Sequence, residues 1–264
     1  QNKFYVSTES IGLQEYFYNK LDIKFPIQFN PISNDSLKFA RSLMNYKGES
    51  SQPLIFSYLG EAREEKGFKY IPNIISKLKK ECLYPWKFIC HSYTNANNKT
   101  EEIEKAKNSI ENHANNNNVL IFSSPLPQYL YEYHLAISDV ILLPYKIKNY
   151  KIRGSGIAYE ALTYSNVLLG TKETDIVKTF KKSNKVLEFN TNINQENFKI
   201  NELLELVHRN RYYQNFKESD NSFSINPNPS FYKILEHCIL KESGFNKLYK
   251  NNIINIKSKI INIL

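Results

Sequence analysis

Short continuous apolar runs alternate along this chain with stretches in which apolar residues recur every three or four positions. Leu54–Leu59 (LIFSYL), bounded by Pro53 and Gly60, reads as a strand covered on both faces. Phe68, Ile71, Ile74, Ile75 and Leu78 follow at helical spacing, with Pro72 in the first turns, where a missing N–H costs little. Trp86–Cys90 is a second strand. Thr100–Ala114 carries Ile103, Ala106 and Ile110 on one helical face and is opened by a Thr-x-x-Glu-like signal that is one place out, Ile103 standing where the Glu would be. Asn115–Asn118 is a turn, and Val119–Phe122 a third strand.

The alternation continues with a helix over Pro127–Ile137, a strand over Asp139–Leu143 and a helix over Gly154–Tyr164. A strand at Val167–Leu169, a helix at Asp175–Lys181 and a strand at Val186–Phe189 follow. Asn201–Tyr213 and Phe231–Leu240 have helical patterns. Such repetition predicts a parallel sheet with right-handed crossovers, an α/β, Rossmann-like, doubly wound domain. The amino-terminal part reads as strand Phe4–Ser7, helix Glu9–Leu21 and strand Phe25–Phe29, set off by a polar stretch. The expected division is therefore 1–50 as the end of a preceding domain plus linker, 51–240 as the main domain, and 241–264 as a tail or docking helix. Gln rather than Met at position 1 adds the expectation that more chain precedes it.

At 264 residues the chain is long enough for a sizeable core, and its 41% apolar content argues against wholesale disorder. It has no apolar run long enough to span a membrane. Lys and Arg number 35 against 26 Asp and Glu, a net charge of +9, which permits anionic partners. The cations are scattered, with no basic stripe interleaved with aromatics, so nucleic acid is not the expected partner. Cys82, Cys90 and Cys238 have no metal-ligand spacing and suit a reducing compartment. No Ser-His-Asp order, Walker loop or metal cluster is visible.

In open parallel sheets ligands bind beyond the carboxyl ends of the strands, so the loops after strands carry the chemistry. After the first strand comes Gly60-Glu61-Ala62-Arg63-Glu64-Glu65-Lys66-Gly67. Gly60 is placed for a tight turn, and the fork of Arg63 with the point charge of Lys66 suits a diphosphate. The competing reading is a solvated loop in which these cations pair with Glu61, Glu64 and Glu65. The second loop is Arg153-Gly154-Ser155-Gly156, opening the helix that carries Glu160. A helix start with free N–H groups is an anion site, and a carboxylate one turn in can accept from a ribose diol. The competing reading is an ordinary serine cap and a solvated Glu160. The dinucleotide fingerprint Gly-x-Gly-x-x-Gly is absent, its third position being Tyr159. Two anion cues at one sheet edge point to a nucleoside diphosphate. His91 follows the second strand at this edge and is a weaker candidate, for a base or sugar contact. His134, and likewise His113, His208 and His237, read as structural or surface residues.

The runs LIFSYLGEAREEKGF and DVILLPYKIKNYKIRGSGIAYEALTYSNVLLGT resemble, in order, two blocks of the GT-B-fold glycosyltransferases of group 1 type. The resemblance covers about 52–210 and implies the C-terminal, nucleotide-sugar-binding half of such an enzyme. It assigns Arg63 and Lys66 to the donor diphosphate as the catalytic cations. It gives Gly60, Arg153, Gly154, Ser155 and Gly156 to donor binding, and Glu160 to the ribose. It implies a nucleoside-diphosphate sugar as substrate, no separate cofactor and no metal. The implied partners are a glycan or lipid-linked acceptor and the rest of an N-terminal domain. The implied setting is bacterial polysaccharide assembly in the cytoplasm or at the inner face of the membrane, by a retaining enzyme of which this piece alone would be inactive. A basic chain permits peripheral membrane contact, although no amphipathic anchor is evident. Two departures stand out. Glu61 follows Gly60 where the family has Arg, and Ile152 stands where the family has a glutamate that contacts the donor sugar. The alternative function is a non-catalytic nucleotide- or glycan-binding module of a larger protein.

Overall fold

In the computed structural model six parallel strands form one sheet, in the order β3-β2-β1-β4-β5-β6. The structure describes residues 7–28, 52–114, 118–191 and 198–216, all within one compact unit. The strands are β1 (Leu54–Tyr58), β2 (Trp86–His91), β3 (Val119–Phe122), β4 (Val140–Leu143), β5 (Val167–Thr171) and β6 (Val186–Phe189). The helices are α1 (Ile11–Leu21), α2 (Ile71–Glu81), α3 (Glu101–Ala114), α4 (Gln128–Ile137), α5 (Ile147–Tyr150), α6 (Gly156–Thr163), α7 (Asp175–Phe180) and α8 (Ile200–Phe216). The chain leaves β1 in one direction to build β2 and β3, and returns beside β1 with β4. The switch point therefore lies between β1 and β4.

The two faces of the sheet bury separate clusters. Along β4, Val140 and Leu142 join one, and Ile141 and Leu143 the other, as the two-residue strand period requires. The first cluster takes Ile74, Ile75 and Leu78 of α2, Ile103 and Ile110 of α3, and Leu203 and Val207 of α8. The second takes Leu135 of α4, Ala158, Ala161 and Leu162 of α6, and Ile176 and Phe180 of α7. Full burial of each large aliphatic side chain contributes about 1.5–3 kcal/mol. The helical signals act as expected at α3, whose first turn holds Glu101, Glu102 and Glu104 and whose Ile103 N–H donates to Thr100 Oγ1 at 3.4 Å.

A buried ion pair closes the amino-terminal edge of the sheet. Arg211 of α8 donates to both oxygens of Asp139, from Nε at 2.7 Å and Nη2 at 2.6 Å, while Asp139 Oδ2 also accepts the Ile55 N–H at 2.8 Å. One carboxylate thus joins β1, β4 and α8 across the switch point.

Local pattern and structure part in three places. Of the strand expected over Phe25–Phe29, the described residues show only an isolated parallel bridge between Thr8 and Ile27, while the strand expected over Phe4–Ser7 lies outside the described residues but for Ser7. The helix expected from Gly154 starts at Gly156, leaving Ser155 extended at φ −145° and ψ 120°. α5 was not anticipated, because one turn of helix carries no periodic signal. The readings for 1–6, 29–51, 115–117, Phe231–Leu240, His237, Cys238 and the 241–264 tail lie outside the described residues.

α1 packs on the main body. Ser10 caps it, its side chain accepting the Leu13 N–H at 3.3 Å. The Gly12 N–H donates to Asp175 Oδ1 at 2.6 Å, the Ile11 N–H to Thr179 Oγ1 at 3.4 Å, and the Tyr159 hydroxyl to the Glu9 carbonyl. The first-turn donors of α1 are thus met by α7, and the residue before its cap by α6.

Candidate functional site

The loop after β1 is anchored by its acidic residues, and its cations are left along the carboxyl edge of the sheet. The Ala62 N–H donates to the Tyr93 carbonyl at 2.7 Å, and the Tyr58 hydroxyl to the Glu61 carbonyl at 2.9 Å. Glu61 Oε1 accepts from the Asn95 N–H at 3.1 Å and from Asn98 Nδ2 at 2.9 Å. Burial pushes the Glu61 carboxyl up, but those hydrogen bonds and the Arg63 charge outweigh it and hold it below the usual carboxylate value. Glu64 pairs with Lys146 at 3.1 Å, tying the loop to the residues after β4.

The tight turn in this loop is made at Gly67 rather than Gly60. Gly67 has φ +68°, and a Cβ there would overlap the Pro144 carbonyl. Gly60 lies under the Lys66 side chain, where a Cβ would be 3.4 Å from Lys66 Cδ and 3.5 Å from Nζ. Gly60 thus gives Lys66 a flat bed, while Gly67 reverses the chain behind it.

Arg63, Lys66 and Arg153 converge. Glu65 Oε1 lies 3.0 Å from Arg63 Nη1 and 3.7 Å from Arg153 Nη1, so one carboxylate bridges two guanidinium groups from loops after different strands. Arg63 Nε also faces Glu61 Oε2 at 3.6 Å. The solvated-loop reading is therefore present for Arg63, but Lys66 makes no ion pair among the described residues. Burial, followed by the neighbouring Arg63 charge, lowers the Lys66 pKa to about 8. A half-buried ammonium beside two guanidinium groups is poised for an anion.

The second loop meets the first at Tyr145. This fully buried side chain lies 3.2 Å from Ser155 Oγ through its hydroxyl. Burial raises its pKa, and the charges of Arg63 and Arg153 act in the opposite direction. Ser155 thereby turns from the helix it precedes: α6 has no side-chain cap, contrary to the ordinary serine-cap reading. The Ala158 N–H donates to the Ser155 carbonyl at 3.0 Å, which leaves the Gly156 and Ile157 N–H groups of the helix start for an anion beside Arg153. Gly156 has open space around it, whereas Gly154 is covered by the Glu9 side chain. Glu160, one turn further, accepts a hydrogen bond from the Tyr131 hydroxyl of α4, so its carboxylate is held rather than solvated.

The histidines play other parts. His91 ends β2 with Nδ1 3.4 Å from the Leu59 carbonyl and Nε2 3.1 Å from the Ser124 carbonyl, joining the loops after β1 and β3. Burial lowers its pKa. His134 is buried against Phe122, and burial lowers its pKa to about 4, which fits its reading as structural. His113 Nε2 lies 3.2 Å from Ser76 Oγ and His208 packs on Tyr84, both away from this edge.

Glu9, Gly67, Tyr131 and Tyr145 were not among the residues singled out from sequence, and Glu65 was named only as a partner for the cations of its own loop. Tyr145 and Gly67 had a usable signal, since both adjoin strand ends at the carboxyl edge; Glu9 had none. Among the described residues no three His, Cys, Asp or Glu side chains gather as a metal site, and no helix is long and apolar enough to cross a membrane. A cavity of about 30 Å³ lined by Ile75, Trp86, His113 and Val119 has room for no more than a water and lies elsewhere.

No family model matches the chain, and no curated protein matches its sequence. Solved structures do match its shape. WaaG, a glycosyltransferase involved in lipopolysaccharide biosynthesis, aligns with a TM-score of 0.51 at 15% identity, over 83% of this chain and 59% of its own. Sucrose-phosphate synthase from Thermosynechococcus elongatus aligns with a TM-score of 0.54 at 14% identity, over 91% of this chain and 59% of its own. Anabaena HepE, solved in complex with UDP, aligns with a TM-score of 0.50 at 11% identity, over 83% of this chain and 55% of its own. The chain therefore spans between 55% and 59% of the length of these three proteins. At such identities the likeness speaks to the fold: this chain has the Rossmann-like, all-parallel α/β fold of the GT-B glycosyltransferases.

Proposed function

We propose that this chain is the nucleotide-sugar-binding part of a glycosyltransferase, which moves a sugar from a nucleoside diphosphate to an acceptor hydroxyl. The observation that carries the reading is the convergence of Arg63, Lys66 and Arg153 beside the uncapped start of α6, at the carboxyl edge and next to the switch point. Two guanidinium groups, an ammonium and a helix start suit the paired charges of a diphosphate. The fold shared with glycosyltransferases, one of them a UDP complex, supports the same ligand class.

In the transfer step the bond between the sugar's anomeric carbon and the diphosphate oxygen breaks. The acceptor oxygen bonds to that carbon, and its proton passes to the departing diphosphate oxygen. Negative charge grows on the departing diphosphate, and Arg63 and Lys66 stabilise it there. Gly60 and the open Gly156 let backbone approach the phosphates, Gly154 and Ser155 shape the donor side of the loop, and Glu160, held by Tyr131, takes the ribose diol. Residues 51–240 form the donor-binding unit in this reading, with 1–50 the end of an acceptor-binding domain and 241–264 a tail or docking helix. The acceptor is a glycan or a lipid-linked glycan in bacterial surface polysaccharide assembly at the cytoplasmic side of the membrane, and the enzyme is retaining.

Ile152, half-exposed where the resembling family has a sugar-contacting glutamate, favours a second reading, a non-catalytic nucleotide-binding module. Calorimetry with UDP, GDP and ADP, together with a sugar-transfer assay on the intact protein, separates the two. The enzyme reading expects micromolar-range nucleotide binding, and expects Lys66→Ala to remove most transfer without altering the circular-dichroism spectrum. Unchanged turnover in that variant contradicts the assignment.

A further inference from the structure

Glu9 reaches this edge from the far end of the described chain. Its carbonyl is held by the Tyr159 hydroxyl, and the next residue, Ser10, caps α1. The α1 start is held in turn on α7 through Gly12 and Asp175. With its backbone fixed in this way, the Glu9 side chain lies along Gly154. A Cβ at 154 would be 3.0 Å from Glu9 Oε1, 3.2 Å from Cδ and 3.4 Å from Cγ. Stem and carboxylate both rest on the backbone between Arg153 and Ser155.

A carboxylate in this place accepts hydrogen bonds and donates none. It repels phosphate oxygens, so it does not serve the diphosphate grip. The part of a nucleotide sugar that adjoins the diphosphate, carries no charge and is rich in O–H donors is the sugar itself. We propose that Glu9 accepts hydrogen bonds from hydroxyls of the transferred sugar, which makes it the residue that tells a nucleotide sugar from the bare nucleoside diphosphate. The assignment rests on reading the Arg63–Lys66–Arg153 cluster as a nucleotide-sugar site.

The two ligands then respond to Glu9 with opposite sign. A bare diphosphate ends in an additional anionic oxygen, which the carboxylate disfavours; a sugar in its place is favoured. The test is calorimetry on the 264-residue chain with matched pairs: UDP and UDP-glucose, GDP and GDP-mannose, ADP and ADP-glucose. For the pair that binds, Glu9→Ala and Glu9→Gln weaken the nucleotide sugar by about tenfold or more, the worth of a charge-assisted hydrogen bond. The bare diphosphate binds as well as before or more tightly. Equal weakening of both ligands shows a structural role and overturns the proposal, as does no change in either; the near-isosteric Gln variant guards against misfolding. If the unaltered chain binds no member of any pair, the nucleotide-sugar reading itself fails and this assignment falls with it. If it binds and only the Glu9 variants disagree, the site stands and the role of Glu9 does not.

Discussion

Gly12 donates its backbone N–H to Asp175 Oδ1 at 2.6 Å across 163 residues of sequence. The absence of a side chain at Gly12 permits this, since a Cβ there would be 2.5 Å from the same oxygen. A buried carboxylate thereby meets the positive end of the α1 dipole, and α1 in turn sets the position of Glu9. Asp175→Ala leaves the Gly12 donor without its partner, which costs about 1–3 kcal/mol. Urea denaturation is expected to show a lower midpoint with an unchanged slope. An unshifted midpoint means that this contact does not hold α1.

The Arg211–Asp139 pair is nearly buried, with side-chain exposures of 10% and 3%. Removing one partner strands the other charge, so Arg211→Ala is expected to lower stability by about 3–5 kcal/mol. Arg211→Lys recovers only part of this, because the forked two-point contact and the bonds to the Gln52 and Pro53 carbonyls need a guanidinium. Thermal and urea unfolding of both variants measure the difference. Equal stability of the Ala and Lys forms removes the geometric argument.

Lys66, lowered to about 8 by burial and by Arg63, makes diphosphate binding depend on pH. The charged form binds, so affinity falls as pH rises through about 8. A bound anion raises the Lys66 pKa, so binding at that pH takes up a proton, seen as a heat that varies with the ionisation enthalpy of the buffer. Lys66→Met loses both effects and weakens binding roughly tenfold or more, the worth of a charge-assisted hydrogen bond. For folding the sign is reversed. The folded protein disfavours the charged form, so this group's unfavourable contribution is complete below about 8 and disappears as pH approaches 10.5, its unfolded value.

Gly67→Ala tests the turn behind Lys66. Left-handed backbone costs a residue with a side chain roughly 1–2 kcal/mol, and the overlap with the Pro144 carbonyl adds to it. Lower thermal stability together with weakened nucleotide binding is expected. Gly60→Ala, with only ordinary contacts to Lys66, is expected to keep the fold and to affect binding alone. Reversed severity of the two variants contradicts this account of the loop.

The order of strands and helices, and which loops share the carboxyl edge, could be read from local pattern. Runs such as DVILL bury on both faces, α2 and α3 show their apolar stripes, and parallel pairing with right-handed crossovers leaves few arrangements open. The positions of Arg63, Lys66 and Ser155 followed from that order alone. Their partners did not. That Glu65 bridges Arg63 and Arg153, that Tyr145 draws Ser155 away from capping α6, and that Glu9 lies on Gly154 were decided only by tertiary structure. Periodicity places a residue on a face or at an edge because it reflects the geometry of one element. Which charge meets which, and whether a serine caps or turns away, depends on segments distant in sequence that packing brings within a few ångströms.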